Sequence, residues 1–143
     1  MTAAFAIKTP LPDEPADGWQ LVEQKTMYGG KRIAAGDELF LFDSENAGGR
    51  GLIARGVVVQ AAVCAPRVGV PRQTPRVTLT VRRTATAARP LGRAVLRTFD
   101  RWDDGRPETE LNFKLYRQAT DKVVGLSEAA ARWLADCFAE ASE

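Results

Sequence analysis

The stretch from Glu38 to Val63 constrains this chain more than any other. It reads ELFLFD, then the break SENAGGRG, then LIARGVVVQAAV. Two apolar runs rich in Phe, Leu, Ile and Val flank a Gly- and Asn-rich turn, which is the pattern of a β-hairpin with a longer loop. The first run is apolar at every position from Leu39 to Phe42, and the second is interrupted only by Arg55, Gly56 and Gln60. An exposed sheet face would need a polar residue at every other position. Continuous runs therefore predict strands covered on both faces, as in a closed barrel.

Around this hairpin the chain predicts short elements. Ala3 to Lys8 reads as a strand with Phe5 and Ile7 on one face. Pro15 to Gln24 reads as a short helix with Trp19, Leu21 and Val22 as its contacts, and Lys25 to Ala35 as a loop in which Gly29 and Gly30 allow positive φ or close approach to a ligand. Ala65 to Pro75 is a Pro- and Arg-rich connector. Arg76 to Arg82 alternates Val77, Leu79 and Val81 with Thr78, Thr80 and Arg82, as a half-exposed strand does. Leu91 to Phe99 suits a helical turn, and Asp100 to Glu108 a loop. Leu111 to Arg117 reads as another strand with Leu111, Phe113 and Leu115 inward. Ser127 is placed to cap a last helix, in which Ala130, Trp133, Leu134, Cys137, Phe138 and Ala141 form one apolar stripe. The expected architecture is α+β: a small mixed β-barrel of about five strands, with covering helices and a C-terminal amphipathic helix, in a single domain over 1–143.

Composition narrows the chemistry. The chain has no histidine, which excludes Ser-His-Asp and Cys-His activation and removes the commonest zinc ligand. Cys64 and Cys137 sit in apolar runs and read as small buried hydrophobes. No metal or other cofactor is expected. No run approaches the ~18 apolar residues of a membrane span, and no signal peptide is evident, so a cytoplasmic protein is expected. Charge is unevenly spread. From Asn46 to Phe99 there are ten Arg and no Asp or Glu, whereas residues 1–45 and 100–143 each carry a net −4. Such a basic middle suits an anionic partner such as nucleic acid, or internal pairing with the acidic ends.

Several of these segments resemble the PUA-like superfamily, and within it the EVE and YTH-type domains. The opening AFAIK is similar to their first strand. Trp19 follows, then a Gly-containing approach to a strand ending in Asp-Ser (Ala35 to Ser44). Gly51 to Val59 and Asn112 to Gly125 resemble the next strand and the closing segment. The resemblance implies a pocket that holds a nucleobase of RNA or DNA, often a modified one, by aromatic stacking and edge hydrogen bonds. The expected base-binding residues are Trp19, Lys25, Thr26, Tyr28, Asp43, Ser44 and Trp102, and the expected phosphate contacts are Arg50, Arg55 and Arg117. No catalytic residue is expected. A protein-interaction or regulatory module is the alternative, and a third class is an enzyme working through Asp103, Asp104 or Lys25.

Overall fold

A computed structural model describes residues 3–11, 18–45, 48–117 and 121–138. Among the described residues six strands close a barrel: β1 (Ala4–Thr9), β2 (Trp19–Met27), β3 (Glu38–Asp43), β4 (Gly51–Val63), β5 (Arg76–Leu91) and β6 (Lys122–Gly125), in the spatial order β1-β3-β4-β5-β2-β6. β1 runs parallel to β3, β2 runs parallel to β6, and the remaining pairs are antiparallel. The helices are α1 (Arg93–Leu96), α2 (Pro107–Leu111), which continues into a π-helical turn at Asn112–Tyr116, and α3 (Glu128–Asp136). Among the described residues, no helix is long and apolar enough to cross a membrane.

The apolar runs from Leu39 to Phe42 and from Leu52 to Val58 have a simple cause: there the sheet is covered on both sides, whereas Val59 and Val63 beyond them are exposed. Phe5, Ile7, Leu39, Leu41, Val58, Leu79 and Val123 point into the barrel. The alternate positions Ala6, Phe40, Phe42 and Val124 point outward and meet Leu96, Leu111, Leu115 and Leu134 of the helical layer. At about 1.5–3 kcal/mol for each fully buried large apolar side chain, neither core is dispensable. Bulges between Leu41 and Phe42, and between Leu52 and Ala54, shift the hairpin register. Leu52 thereby joins the outer core, whereas Ala54 and Val58 face the interior.

Four expectations require correction. The segment expected as a helix over Pro15–Gln24 is strand from Trp19 onward, while 12–17 lie outside the described residues. Trp19 and Leu21, two apart, both fill the barrel interior, and a bulge between Leu21 and Gln24 leaves Val22 exposed and Glu23 at φ 55°. A bulge of this kind breaks the alternation that marks a strand in sequence. The expected loop from Lys25 accordingly begins as the end of β2. The expected strand Leu111–Arg117 is helical, because Leu111 and Leu115 satisfy the four-residue period of a helix as well as the two-residue period of a strand. Pro107 at its first turn and the acidic Glu108 and Glu110 there fit a helix start. Finally, β5 runs on to Leu91, well beyond Arg82.

Gly29 and Gly30 each meet a demand of the backbone. Gly29 takes φ 83° in the turn after β2, with open space around it. Gly30 lies so close to the β6 backbone that an added Cβ would sit 2.2 Å from the Val123 carbonyl oxygen. Gly29→Ala is expected to cost about 1–2 kcal/mol from the left-handed backbone alone, measured by urea unfolding. Gly30→Ala should cost more, because the two segments must separate.

Candidate nucleobase site

Three aromatic rings meet where the turn after β2, the loop before α2 and the π-helical turn converge. Phe113 is the hub. Tyr28 packs edge-on to it at 5.7 Å between ring centroids, and Trp102 does so at 5.5 Å. These are favourable separations and orientations for aromatic pairs. Arg117, one helical turn after Phe113, lays its guanidinium over Phe113 at 4.7 Å and over Trp102 at 5.0 Å. Trp102 remains 45% exposed. Beside the rings is a cavity of about 260 Å³, walled by Trp102 and Phe113 and by the polar residues Arg106, Thr109, Glu110 and Lys114.

The polar wall is held from behind. Lys114 Nζ donates to Glu110 Oε2 at 2.9 Å and to the Gly125 carbonyl at 2.7 Å. The Ser127 backbone N–H donates to Glu110 Oε2 at 2.8 Å, and the Ser127 hydroxyl also donates to this carboxylate. Burial opposes ionisation of Glu110, but the bonds from Ser127 and from the Lys114 ammonium outweigh it and hold the carboxyl below its ordinary range. Ser127 Oγ also accepts from Ala130 N–H at 3.1 Å, capping α3 as expected. One hydroxyl thus couples the last helix to the cavity wall. Ser127→Ala should lower stability by about 1 kcal/mol, read from denaturant unfolding.

A second polar cluster lies on the outer face of β1. Tyr116 donates to Glu45 Oε1 at 2.6 Å, and Arg93 N–H donates to Glu45 Oε2 at 3.0 Å. Lys8 Nζ stands 4.6 Å from the Tyr116 ring centroid, and the Arg93 guanidinium stands 5.7 Å from it. Burial first, then the bond to Glu45, pushes the Tyr116 phenol well above its ordinary value. Lys8 is held below its ordinary value by burial and then by Arg93, with Glu45 opposing.

The expected site residues divide sharply. Tyr28, Trp102 and Arg117 come together through Phe113. Trp19 does not join them: it is 3% exposed, inside the barrel, and offers no face to a base. Thr26 donates its hydroxyl to the Pro75 carbonyl at 2.8 Å. Asp43 accepts from Leu11 N–H at 2.9 Å, a long-range bond that ties the end of β3 to the chain leaving β1. Arg55 pairs with Glu38 and lies over Phe40 and Phe138, which commits it to the outer core rather than to a phosphate. Arg67 and Arg76 likewise pair with Glu23 at 3.1 and 3.4 Å, so part of the basic middle is balanced within the fold. Arg50 and Lys25 are exposed. Ser44 is fully buried, and its Oγ has no hydrogen-bond partner among the described residues. Asp104 is a turn residue, accepting from Arg106 N–H and Thr109 Oγ1, both at 3.0 Å. Its carboxyl is held below its ordinary range chiefly by the Arg106 N–H.

Phe113, Tyr116, Lys8, Glu45 and Arg93 were missed as site residues. Reading Arg106-Pro107-Glu108 as a helix start would have put Phe113 and Arg117 four apart on one helical face, which is the signal for the aromatic hub.

No known family pattern and no curated protein matches the sequence. Solved structures do match the fold. Human THYN1 protein, in complex with 5-methylcytosine-containing DNA, superposes with a TM-score of 0.60 at 12% identity, covering 94% of this chain and 96% of that one. The DUF55 domain of human thymocyte nuclear protein 1 gives 0.55 at 11% identity, covering 94% and 97%. Rpa0253 from Rhodopseudomonas palustris gives 0.55 at 13% identity, covering 99% and 97%. The chain therefore has the barrel fold of these solved structures, the DUF55 domain among them.

Proposed function

We propose that this protein is a nucleic-acid-binding domain that holds a nucleobase against the Tyr28–Phe113–Trp102 cluster and carries out no reaction on it. The observation that carries the reading is the exposed Trp102 ring, backed by Phe113, with Arg117 stacked on both. A π face open to solvent beside a cation is what a flipped or single-stranded base stacks on. The adjoining cavity offers Glu110 to accept and Lys114 and Arg106 to donate to a base edge. The structural relative bound to 5-methylcytosine DNA supports a modified base as the target, with 5-methylcytosine the first to test. Arg117 and the exposed Arg50 would contact phosphates. Amide chemical-shift mapping with a short 5-methylcytosine oligonucleotide tests this. Perturbations should centre on Trp102, Phe113 and Tyr28, and shifts confined to another face would refute the assignment.

A protein-interaction role is favoured by one separate observation, the bare valines of the β4–β5 arm: Val63 is 83% exposed and Val68 is 100% exposed. If the arm serves a protein partner, Val63→Ser with Val68→Ser will abolish that association and leave oligonucleotide affinity unchanged.

A further inference from the structure

We infer that the outer face of β1, β6 and β2 carries a binding site for a phosphate-class oxyanion, built from Lys8, Lys122 and Lys25 and separate from the aromatic cluster. Strand register puts the three lysines in one row. Lys8 pairs with Lys122 across β1–β6, and Lys122 pairs with Lys25 across β6–β2. Each lies two residues from an outward-facing neighbour (Ala6, Val124 and Met27), so all three share the outer face. Lys8 and Lys122 are each 1% exposed, whereas Lys25 is exposed and marks the solvent end of the row.

Buried cations are tolerated when paired or hydrogen-bonded. Lys8 has the Tyr116 ring and the charge of Glu45. Lys122 has less. Its Nζ is buried and donates no hydrogen bond among the described residues. The charged groups about the row do not remedy this. Glu45 is occupied by Tyr116 and by the Arg93 N–H, and Asp121 Oδ1 accepts from Thr9 Oγ1 at 2.7 Å. Lys8, Lys25 and Arg93 add only positive charge. The ammonium of Lys122 is lowered to about 8 by burial first and then by Lys8 and Lys25. Three donor cations in a row, with an orphaned buried ammonium at the centre, are complementary to a tetrahedral oxyanion that accepts several charge-assisted hydrogen bonds at once. The site needs no base to be recognised, so it stands or falls independently of the function proposed above.

The test is titration with inorganic phosphate against chloride at matched ionic strength, followed by calorimetry and by the lysine Nζ signals in NMR. Phosphate should bind saturably with one ion per chain, and it should raise the Lys122 titration midpoint by at least about one unit, as an opposite charge at close range does. Lys122→Gln should weaken phosphate binding at least about tenfold, and Lys122→Arg, which keeps the charge, should retain it. Competition by a short unmodified oligonucleotide would assign the anion to a nucleic-acid backbone. Phosphate binding without such competition would assign it to a free phosphate or a small phosphorylated ligand. Non-saturable binding, or equal binding by Lys122→Gln, would overturn the site, and an unmoved Lys122 midpoint at saturation would do the same.

Discussion

Lys122→Met is expected to unfold at higher denaturant than the wild type at pH 7, with a gain of about 2–3 kcal/mol. The reason is the position of Lys122: 1% exposed, no hydrogen bond from Nζ among the described residues, and Lys8 and Lys25 as flanking charges. Its ammonium titrates near 8 in the fold against an ordinary 10.5. Each unit of that difference corresponds to about 1.4 kcal/mol. The folded pKa lies below the unfolded one, so between pH 8 and 10.5 the unfolded chain holds more protons than the folded chain. Wild-type stability therefore rises with pH across that window, and below pH 8 the full penalty of burying the charge is present. Lys8, also lowered, acts in the same direction, whereas Tyr116 acts oppositely above about pH 10 because the fold keeps its phenol neutral. The Lys122→Met difference isolates the one residue: large at pH 7, and shrinking as pH rises from 8 towards 10. A methionine of similar length fills the space without the charge. A variant no more stable than wild type at pH 7 would show that the ammonium is solvated or paired in solution. So would a gap that does not change with pH.

The second large effect is on binding. Trp102→Ala should weaken oligonucleotide affinity by about 1–3 kcal/mol, the range for loss of one base–aromatic stack, with little effect on unfolding because the ring is 45% exposed. Phe113→Ala should weaken binding by a similar amount, because Tyr28 and Trp102 both rest on that ring, and it should also destabilise the fold. Arg117→Ala differs in kind. It should reduce affinity for all sequences alike and flatten the dependence of affinity on salt by about one phosphate contact. Fluorescence anisotropy with methylated and unmethylated strands separates these outcomes. Equal affinity of Trp102→Ala and wild type would remove the ring from the site.

The barrel was legible in the sequence because its strongest signal, the hairpin from Glu38 to Val63, is covered on both faces from Leu39 to Phe42 and largely so from Leu52 to Val58, although the end of the second strand, from Val59 to Val63, is mostly exposed. The observed strands end within the expected stretch, at Asp43 and Val63. The cap at Ser127 was legible for a local reason: a hydroxyl ahead of a helical stripe has one obvious use. Two elements were misread because short apolar patterns admit two periods. Leu111 and Leu115 fit both a strand and a helix, and the bulge in β2 hid a strand behind a helix-like spacing of Trp19 and Val22. The site followed the same division. Tyr28 and Trp102 were singled out because an aromatic residue in an expected loop lacks a core explanation, and Arg117 because it closes an expected strand; the structure brings all three together around Phe113. Phe113 was lost with the misread helix. The lysine row was invisible because it is made by strand register between Lys8, Lys25 and Lys122, which no local pattern encodes. Arg55 and Trp19 were assigned to a ligand because a sequence does not show that Glu38 and the barrel interior already hold them.

The proposed base site would hold nucleic acid through stacking assisted by cations. It is tested most directly by measuring affinity for a short single strand and for its 5-methylcytosine form across a series of salt concentrations. Expected are binding at low salt, a linear fall of log affinity with log salt whose slope reports phosphate contacts, and a residual affinity at high salt that Trp102→Ala removes. No binding to either strand at low salt would contradict it.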